Sequence, residues 1–545
     1  MKQIYKNLLY NLTIALLISL LFIVAEQLYR IYNDILVFNL RPKSFAEHIL
    51  INFIVISIMS KRAIAITYTF FITVVWFQFM HFAYFGTWIF PLEYYLFLTK
   101  FRETFDTFKT VATIGIVPTS LMAFVSVGIY FILKNLKDTR FKIPYLGIIL
   151  IIFLISMPVK VFIKDSKKGA RPNVEYYAIK NSVTTLSYLL GNIMPKKLLG
   201  HSGLEQPIVE TPKILEKNPD INIIMIMGES LSNQFMSLYD YKIKTTPFLD
   251  SLKESPNFIY RKAIAGGVVT DVSIPSFFNM IKKPDGVPQI LTTNTCLFKM
   301  AKNNGFETYF YSAQSQSQLS KLKSYLCPVY IDNYLDGTAN TKDIHQAALD
   351  MFLIDTVDKI DFSKSNFVVL HQRGSHTPFK VDYPKEFEVF TKENTKDKTV
   401  LQNTLEYQNS ILYTDYVFSQ IIKKIKEKTD KPTYFIFTSD HATNVGDTNR
   451  NGHGRLDYDS VYQVPFFVYS INGAKNIADK FTKFEYISHY QISKTLSYLM
   501  GYNNEYKEFN KKEDYFVCDS DISGLAGILK LSFDENNTQK PKILK

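Results

Sequence analysis

Polar side chains that could bind a metal ion follow three predicted β-strands in the second half of this 545-residue chain. Glu229 comes just after the first of these strands, and His371 comes directly after the second. Asp440 and His441 follow the third strand. Because ligands bind at the carboxyl ends of strands in open α/β sheets, we expect these side chains to meet at one edge. Carboxylate oxygen and imidazole nitrogen suit Zn²⁺ or Mn²⁺.

A candidate nucleophile lies in the glycine-containing segment Gly266–Pro275, which carries hydroxyl side chains. A helix is predicted over Ser273–Met280, with Ser273 as a possible N-terminal cap. A hydroxyl near a helix N-terminus lies where backbone N–H groups favour a phosphate. Metal coordination would lower the pKa of that hydroxyl and make its alkoxide a nucleophile.

These residues would be positioned by a domain of alternating strands and helices. Helical patterns over Thr292–Asn303 and Leu405–Lys428 separate several of the strands, which indicates an α/β fold with a largely parallel sheet. The predicted strands are Ile221–Met227, Glu307–Tyr311, Phe367–Leu370, Thr433–Thr438 and Pro465–Tyr469.

The N-terminal third is predicted to be a five-helix transmembrane α domain. It contains five apolar segments, most of which approach the ~20 residues needed to cross a bilayer. Repeated runs of this length with almost no charge are rare in soluble folds. The segments are Leu8–Leu28, Ala46–Met59, Ala63–Ile89, Val111–Leu133 and Ile143–Phe162.

The positive charge of the chain is concentrated in the same third. Residues 1–170 contain 18 Lys and Arg against 8 Asp and Glu, whereas the whole chain has 62 against 50. No basic tract follows a helix, so we expect membrane association and no nucleic-acid binding. Basic residues flank the apolar segments on both sides, so charge alone does not decide the orientation.

We divide the chain into a five-helix transmembrane domain over 1–165, interfacial linker helices over 166–220 and a catalytic α/β domain over 221–545. The linker pattern fits amphipathic helices at the membrane surface and fits equally well helices packed on the soluble domain.

Four motifs together resemble the bacterial phosphoethanolamine transferases, which are membrane-anchored members of the alkaline-phosphatase/sulfatase superfamily. The resemblance extends over nearly the whole chain and implies an alkaline-phosphatase/sulfatase-like catalytic domain. The motifs are Gly228-Glu229-Ser230, Thr270-Asp271-Val272-Ser273-Ile274-Pro275, His371-Gln372-Arg373-Gly374-Ser375-His376-Thr377-Pro378 and Ser439-Asp440-His441, with His453-Gly454 later.

The resemblance implies the reaction and its place in the cell. Such enzymes move phosphoethanolamine from phosphatidylethanolamine to lipid A, the lipopolysaccharide or lipooligosaccharide core, or another surface acceptor. They act on the periplasmic face of the bacterial inner membrane, which implies a cytoplasmic N-terminus here. We expect a monomer that has no nucleic-acid partner. If lipid A is the acceptor, each added amine would offset a phosphate charge and protect against cationic antimicrobial peptides.

The resemblance also assigns roles to single residues. One or two zinc ions are implied, with Mn²⁺ as a possible substitute. Thr270 would be the nucleophile, and His376 and His453 would bind the phosphoryl group and serve as acid and base, or hold a second metal. The implied zinc ligands are Glu229, Thr270, Asp440 and His441.

Substrate contacts follow the family pattern less closely. Thr99 and Glu103 fit a family series of Asn, Thr and Glu at four-residue intervals, but Tyr95 occupies the Asn position. Ser315 matches a family substrate contact, whereas Gln318 replaces a family Lys. These departures leave the donor and acceptor details open.

The chain contains three cysteines, which an oxidising periplasm would allow to form a disulfide. Cys296 and Cys327 are the expected pair, with Cys518 left out. Three unpaired thiols are the alternative.

Three other functions were considered for this chain. A phosphoglycerol transferase of the lipoteichoic-acid or periplasmic-glucan type shares the fold, nucleophile and anchor, and is the alternative function. A sulfatase activity is disfavoured, because it needs Cys or Ser followed by Pro and Arg two and four residues on, whereas Val272 and Ile274 follow Thr270. An inactive membrane scaffold would have a damaged metal set, and this set is complete.

Overall fold

The chain divides into two compact units in the computed structural model, Met1–Ser202 and Gly203–Lys545. The structure describes residues 2–33, 42–85, 88–89, 91, 94, 115–141, 146–164, 169, 172–173, 176–198, 207–284, 286–339, 343, 346–446, 452–454, 456, 458–480, 485–503, 513–514, 515–519, 522, 527–533 and 539–544.

The first unit is helical. Its apolar side chains form one buried cluster that includes Ile18, Phe22, Phe79 and Val125. The described helices are α1 Lys2–Tyr32, α2 Pro42–Ile58, α3 Lys61–Phe85, α4 Ile116–Lys134, α5 Leu146–Lys164, α6 Ala178–Tyr188 and α7 Met194–Leu198.

Three helices are long and apolar enough to cross a membrane within the described residues, where five crossings were predicted. They are Gln3–Tyr32, Lys61–Ala83 and Ile116–Lys134. The apolar part of α2, Phe45–Ile58, is shorter than the ~20 residues that span a bilayer core. The helix α5 has 19 residues, and its first side chains lie outside the described residues.

A buried ion pair connects α6 to α1. Arg30 Nη2 lies 2.7 Å from Glu26 Oε1 and also donates to the carbonyl oxygen of Tyr176 at 2.8 Å. The Glu26 carboxylate accepts the backbone N–H of Ala178, the first residue of α6, at 3.0 Å. The anion therefore satisfies a helix donor that has no partner inside the helix. The N-terminus of α6 is therefore held within the first unit.

The second unit is built on an eight-stranded sheet with strand order β4-β3-β5-β1-β6-β7-β2-β8. The strands are β1 Asn222–Gly228, β2 Phe258–Ile264, β3 Glu307–Ser312, β4 Asn333–Leu335, β5 Asn366–His371, β6 Thr433–Ser439, β7 Gln463–Ile471 and β8 Tyr486–Ser488. Only β7 runs against its neighbours in this sheet, so the predicted largely parallel sheet is confirmed. A second sheet contains the antiparallel strands β9 Tyr515–Cys518, β10 Ile528–Phe533 and β11 Gln539–Leu544.

Helices cover both faces of the large sheet, which is why its central strands are apolar on both sides. Along β1, Ile223 and Met225 point into one buried cluster, whereas Ile224 and Ile226 point into the other. The helices of this unit are α8 Pro247–Ser251, α9 Thr270–Phe278, α10 Val287–Thr292, α11 Leu297–Asn303, α12 Gln316–Leu322, α13 Met351–Thr356, α14 Gln402–Lys428 and α15 His489–Leu499.

The five predicted strands are all present, with ends that differ by one or two residues. Two helix predictions need correction. The helix predicted over Thr292–Asn303 begins only at Leu297, because Thr293 adopts a left-handed conformation (φ 56°) that ends the preceding helix α10 at Thr292. The helix expected to begin at Ser273 begins at Thr270, and Val269 precedes it without a side-chain cap.

A disulfide joins Cys296 to Cys327 across 31 residues, as expected. It links the start of α11 to the turn after α12, and both ends lie in the buried cluster on one face of the sheet. Cys518 is buried and takes no part in this disulfide.

We predict that removing this disulfide destabilises the catalytic unit. Closing a loop of this length restricts the unfolded chain by about 4 kcal/mol in the loop-entropy model. The double variant Cys296→Ala/Cys327→Ala should therefore unfold at a lower temperature than the wild-type chain, measured by scanning fluorimetry in detergent. Cys518→Ala is the matched control, because it also removes one buried thiol. An equal loss of thermal stability in both variants would contradict the prediction.

Candidate metal centre and active site

The Glu229 carboxylate is placed by a tight turn at the end of β1. Ser230 adopts a left-handed backbone conformation (φ 59°), which a non-glycine residue keeps only where its surroundings hold it. Tyr407 of α14 holds this turn: its hydroxyl donates to Ser230 O and accepts from Ser232 N, each at 2.8 Å. The Ser230 hydroxyl in turn donates to Glu229 Oε1 at 2.8 Å.

The loop after β5 packs directly on the backbone of Glu229. Ser375 N donates to Glu229 O at 3.1 Å. Gly374 has φ +60°, and a Cβ atom there would come within 2.7 Å of Glu229 O. Only glycine satisfies both the conformation and the close approach. The loop is fixed from its other side by the buried Asp350, whose carboxylate accepts the N–H groups of Arg373 and Gly374 at 2.7 and 3.1 Å.

Asp440 and His441 lie at the end of β6, next to β1 in the sheet. Asp440 Oδ1 accepts the backbone N–H groups of Ser230 and His441 at 3.0 and 2.7 Å. Asp440 Oδ2 is buried and accepts no hydrogen bond from the described residues. A buried carboxylate oxygen without a donor is costly, unless a cation binds it.

The imidazole of His441 presents its Nε2 atom to the two carboxylates. Its Nδ1 lies 3.0 Å from the carbonyl oxygen of Ala442, which can only accept, so Nδ1 carries the proton. Nε2 then offers a lone pair, at 3.3 Å from Asp440 Oδ2 and 3.5 Å from Glu229 Oε1. Hydrogen bonding of the remote nitrogen to a carbonyl group is typical of metal-binding histidines.

Glu229, Asp440 and His441 thus form a compact group of candidate metal ligands. One ligand atom from each lies within 4.8 Å of the others, and all three side chains are buried. Burial and the charge of Glu229 raise the pKa of Asp440 to about 7. Burial opposes ionisation of Glu229 as well, but the nearby imidazoles of His441 and His376 and the Ser230 hydroxyl hold its pKa at about 2. Two buried carboxylates and an unprotonated nitrogen fit a divalent cation such as zinc.

The Thr270 hydroxyl borders this group. Thr270 is the first residue of α9, and its Oγ1 donates to Glu229 Oε2 at 3.0 Å. The same oxygen lies 3.2 Å from His441 Nε2. Ser273, expected as a helix cap, is instead buried inside α9, and its hydroxyl donates to the carbonyl oxygen of Asp440.

His453 packs next to His441, and His376 packs next to His453. The rings of His453 and His441 are 4.3 Å apart, and those of His453 and His376 are 5.9 Å apart. Gly454 N donates to Val268 O at 3.0 Å, which ties the His453 loop to the loop before α9. Burial, followed by the charge of His441, lowers the pKa of His453 to about 4.

Other predicted residues lie elsewhere or remain undescribed. His371 is buried and bonds to Ser312 Oγ at 3.0 Å, and it does not belong to the ligand group. Ser315 begins α12 in a capping box with Gln318, so its hydroxyl already has a partner inside the protein. Thr99 and Glu103 lie outside the described residues.

Gln314 is a site residue to which the family resemblance assigned no role. It follows β3, and its Nε2 donates to Glu229 Oε2 at 2.9 Å. Glu229 was identified because it follows a predicted strand, and Gln314 likewise follows β3 by two residues. The position of Gln314 after a strand therefore could have identified it from the sequence. Asp350 and His489 were missed for a different reason: no strand precedes Asp350, and the strand before His489 has only three residues.

The sequence profile of the Sulfatase family matches residues 221–502, which is just over half of the chain. The chain belongs to the sulfatase family. The matched region contains β1, the α9 segment, the loops after β5 and β6, and α15. All the candidate site residues that the structure describes therefore lie within the family match.

Curated relatives of this sulfatase-family protein include phosphoethanolamine transferases. EptC from Escherichia coli is 23% identical over 54% of this chain and 51% of its own length. EptA from Helicobacter pylori is 24% identical over 66% of this chain and 69% of its own length. The chain spans about half the length of several of the curated relatives it matches. Among solved structures, the periplasmic domain of Escherichia coli EptC in complex with Zn aligns with 21% identity over 57% of this chain and 93% of that domain (TM-score 0.48).

We predict that Gly374→Ala disturbs the metal centre of this sulfatase-family protein. The substitution imposes a strained conformation that costs about 1–3 kcal/mol and forces the new Cβ against the Glu229 backbone. The variant should bind zinc more weakly and unfold at a lower temperature, measured by zinc titration and scanning fluorimetry.

Gly473→Ala is the matched control for this change. Gly473 also has a positive φ (+76°), but a Cβ atom there would meet nothing within 4 Å. The control should lose some stability and keep its zinc affinity. Equal zinc affinities in the two variants would contradict the role given to Gly374.

Proposed function

We propose that this protein transfers phosphoethanolamine from phosphatidylethanolamine to a cell-surface acceptor through a phospho-threonine intermediate on Thr270. One observation carries the proposal: the Thr270 hydroxyl lies at the start of a helix, 3.0 Å from Glu229 and 3.2 Å from His441, beside an unpaired oxygen of Asp440. The names of the EptC and EptA relatives support phosphoethanolamine as the transferred group.

Zinc fits the ligand group best, and Mn²⁺ is the alternative ion. Glu229, Asp440 and His441 would hold it, with the Thr270 oxygen at its open position. A bound zinc ion would lower the pKa of the hydroxyl and stabilise negative charge on the phosphoryl oxygens. A second ion would require His376 and His453 as ligands, at the expense of their acid–base role.

Thr270 is suited to attack the phosphorus of the lipid. Its hydroxyl proton points at Glu229 Oε2, so the oxygen lone pairs are free for the phosphorus. The positive end of the α9 helix dipole favours the negative phosphate at this position. Attack passes the hydroxyl proton to Glu229 Oε2, forms the bond from Thr270 Oγ1 to phosphorus and breaks the bond from phosphorus to the diacylglycerol oxygen. The acceptor oxygen then attacks the same phosphorus, and the bond to Thr270 Oγ1 breaks as that oxygen takes a proton back.

His376 and His453 are suited to move the protons. His376 is half-buried, and its Nδ1 faces the carbonyl oxygen of Thr377 at 2.7 Å, so Nδ1 holds a proton and Nε2 is available to substrate. The lowered pKa of His453 keeps it in its basic form at neutral pH. One imidazole can protonate the departing diacylglycerol oxygen, and one can accept the proton of the incoming acceptor.

The acceptor would be lipid A, a lipopolysaccharide or lipooligosaccharide core sugar, or a similar surface glycan. The substrate roles of Thr99, Glu103 and Ser315 stay predictions. Transfer at the cell surface requires the catalytic unit in the periplasm and the anchor in the inner membrane. We propose five crossings: α2 and α5 are helices of 17 and 19 residues and add to the three candidate spans.

We predict that Thr270→Ala abolishes transfer, because the nucleophile is lost. Release of diacylglycerol from fluorescent phosphatidylethanolamine by the purified full chain should fall by roughly 10³-fold or more. Ser276→Ala is the matched control, since Ser276 is a buried hydroxyl of the same helix that donates only to Val272 O. Undiminished release by Thr270→Ala would overturn the nucleophile assignment. Release from phosphatidylglycerol instead of phosphatidylethanolamine would select phosphoglycerol transfer.

We predict that Glu229→Gln and Asp440→Asn each weaken zinc binding by about 100-fold or more, because each removes a charged ligand. Zinc content after dialysis, measured by mass spectrometry of the metal, should fall in both variants. Asp415→Asn is the control: this buried carboxylate accepts the N–H groups of Phe248 and Leu249 and is not part of the ligand group. A full zinc content in Glu229→Gln or Asp440→Asn would remove that residue from the ligand set.

A further inference from the structure

His489 is a buried imidazole that the proposed reaction does not use. It is the first residue of α15, and only 2% of its surface is exposed. Two structural features fix its position. Ser488, the last residue of β8, caps α15 in a capping box with Gln491. The strand β8 pairs in parallel with β2, and β2 leads into the loop that carries Thr270.

One edge of the His489 ring faces the nucleophile segment. Gly266, four residues before Thr270, donates its backbone N–H to His489 Nδ1 at 3.2 Å. Ser273, three residues after Thr270, has its hydroxyl oxygen 3.2 Å from the same nitrogen. Contacts with one imidazole nitrogen therefore bracket the nucleophile on both sides.

The other edge of the ring faces the strand that supplies two candidate metal ligands. His489 Nε2 lies 3.0 Å from the carbonyl oxygen of Ser439, the residue before Asp440. Since a carbonyl oxygen only accepts, Nε2 carries the proton and Nδ1 must be the acceptor for Gly266. Burial lowers the pKa of His489 to about 3, so the neutral ring keeps this arrangement at neutral pH.

Ser273 completes the connection, because its hydroxyl donates to the carbonyl oxygen of Asp440. Phe277 of α9 packs edge-on against the His489 ring, with ring centres 5.3 Å apart. The ring thus joins the loop before Thr270, the helix after it and the end of β6.

We propose that His489 is a positioning residue for group transfer: it sets the Thr270 hydroxyl against Asp440 and His441, because its ring accepts the Gly266 N–H in the loop before Thr270 and donates to the Ser439 carbonyl oxygen at the end of β6. A displacement of even 1 Å at a reacting atom can cost about 100-fold in rate. The inference rests on the proposed function, and it predicts a loss of turnover with little change in donor or zinc binding.

The test compares His489→Phe and His489→Asn in the full-length protein. Phe keeps a ring against Phe277 and loses both hydrogen bonds, whereas Asn keeps an acceptor close to the Nδ1 position. We expect kcat for phosphatidylethanolamine cleavage to fall at least tenfold in His489→Phe and less in His489→Asn. The KM for the lipid and the zinc content should stay within about twofold of the wild type.

If His489→Phe does not fold, a double-mutant cycle of His489→Asn and Ser273→Ala tests the same inference. Rates of His489→Asn, Ser273→Ala and the double variant should combine less than multiplicatively, because both side chains act on the same segment. Ser276→Ala combined with His489→Asn is the control cycle and should be multiplicative. Multiplicative rates in both cycles, or wild-type kcat in a folded His489→Phe, would overturn the inference.

Failure of the proposed function gives a different result. In that case the wild-type chain would not cleave phosphatidylethanolamine, and the same variants would be compared on bis(p-nitrophenyl) phosphate, a general phosphodiester. A slower His489→Phe on that substrate would support the positioning role and reject the lipid donor. Equal rates of the wild type and His489→Phe would reject the positioning role.

Discussion

The burial of two carboxylates beside one another is the constraint on which the rest of the catalytic unit depends. Glu229 and Asp440 lie in the protein interior with less than 2% of either residue exposed. Burial, followed by repulsion from Glu229, raises the pKa of Asp440, and one oxygen of Asp440 has no hydrogen-bond donor among the described residues. A bound divalent cation would neutralise the two carboxylates and stabilise the arrangement. Without a cation, burial of the two charges would destabilise the fold.

The fold brings these groups together because the strands that carry them are neighbours in the sheet. Adjacent parallel strands β1 and β6 supply the two carboxylates, and the loop after the third, β5, packs on Glu229 through Gly374. Thr270 comes from outside this set, since β2 belongs to the far side of the sheet beyond β7. A buried contact such as that of His489 is therefore needed to hold the nucleophile segment against the end of β6.

Much of this arrangement is visible in the sequence, because uninterrupted apolar strands end abruptly in polar residues. The five strands and the residues Glu229, Asp440 and His441 follow from that pattern. The start of α9 does not, because Val269 offers no capping side chain and the preceding glycines suggested a longer loop. The contacts of Asp350 and His489 join segments far apart in the chain, so no local pattern reports them. The membrane unit was harder to predict for a simpler reason: an apolar run such as α2 is near the minimum length for a crossing.

The most direct test of the central claim is peptide mass spectrometry of the full-length protein after incubation with zinc and phosphatidylethanolamine in the absence of acceptor. The account predicts the mass gain of one phosphoethanolamine group, located on Thr270 and absent when the lipid is omitted. A phosphoethanolamine group on another residue, a phosphoglycerol group on Thr270 from phosphatidylglycerol alone, or no adduct while diacylglycerol is released would contradict it.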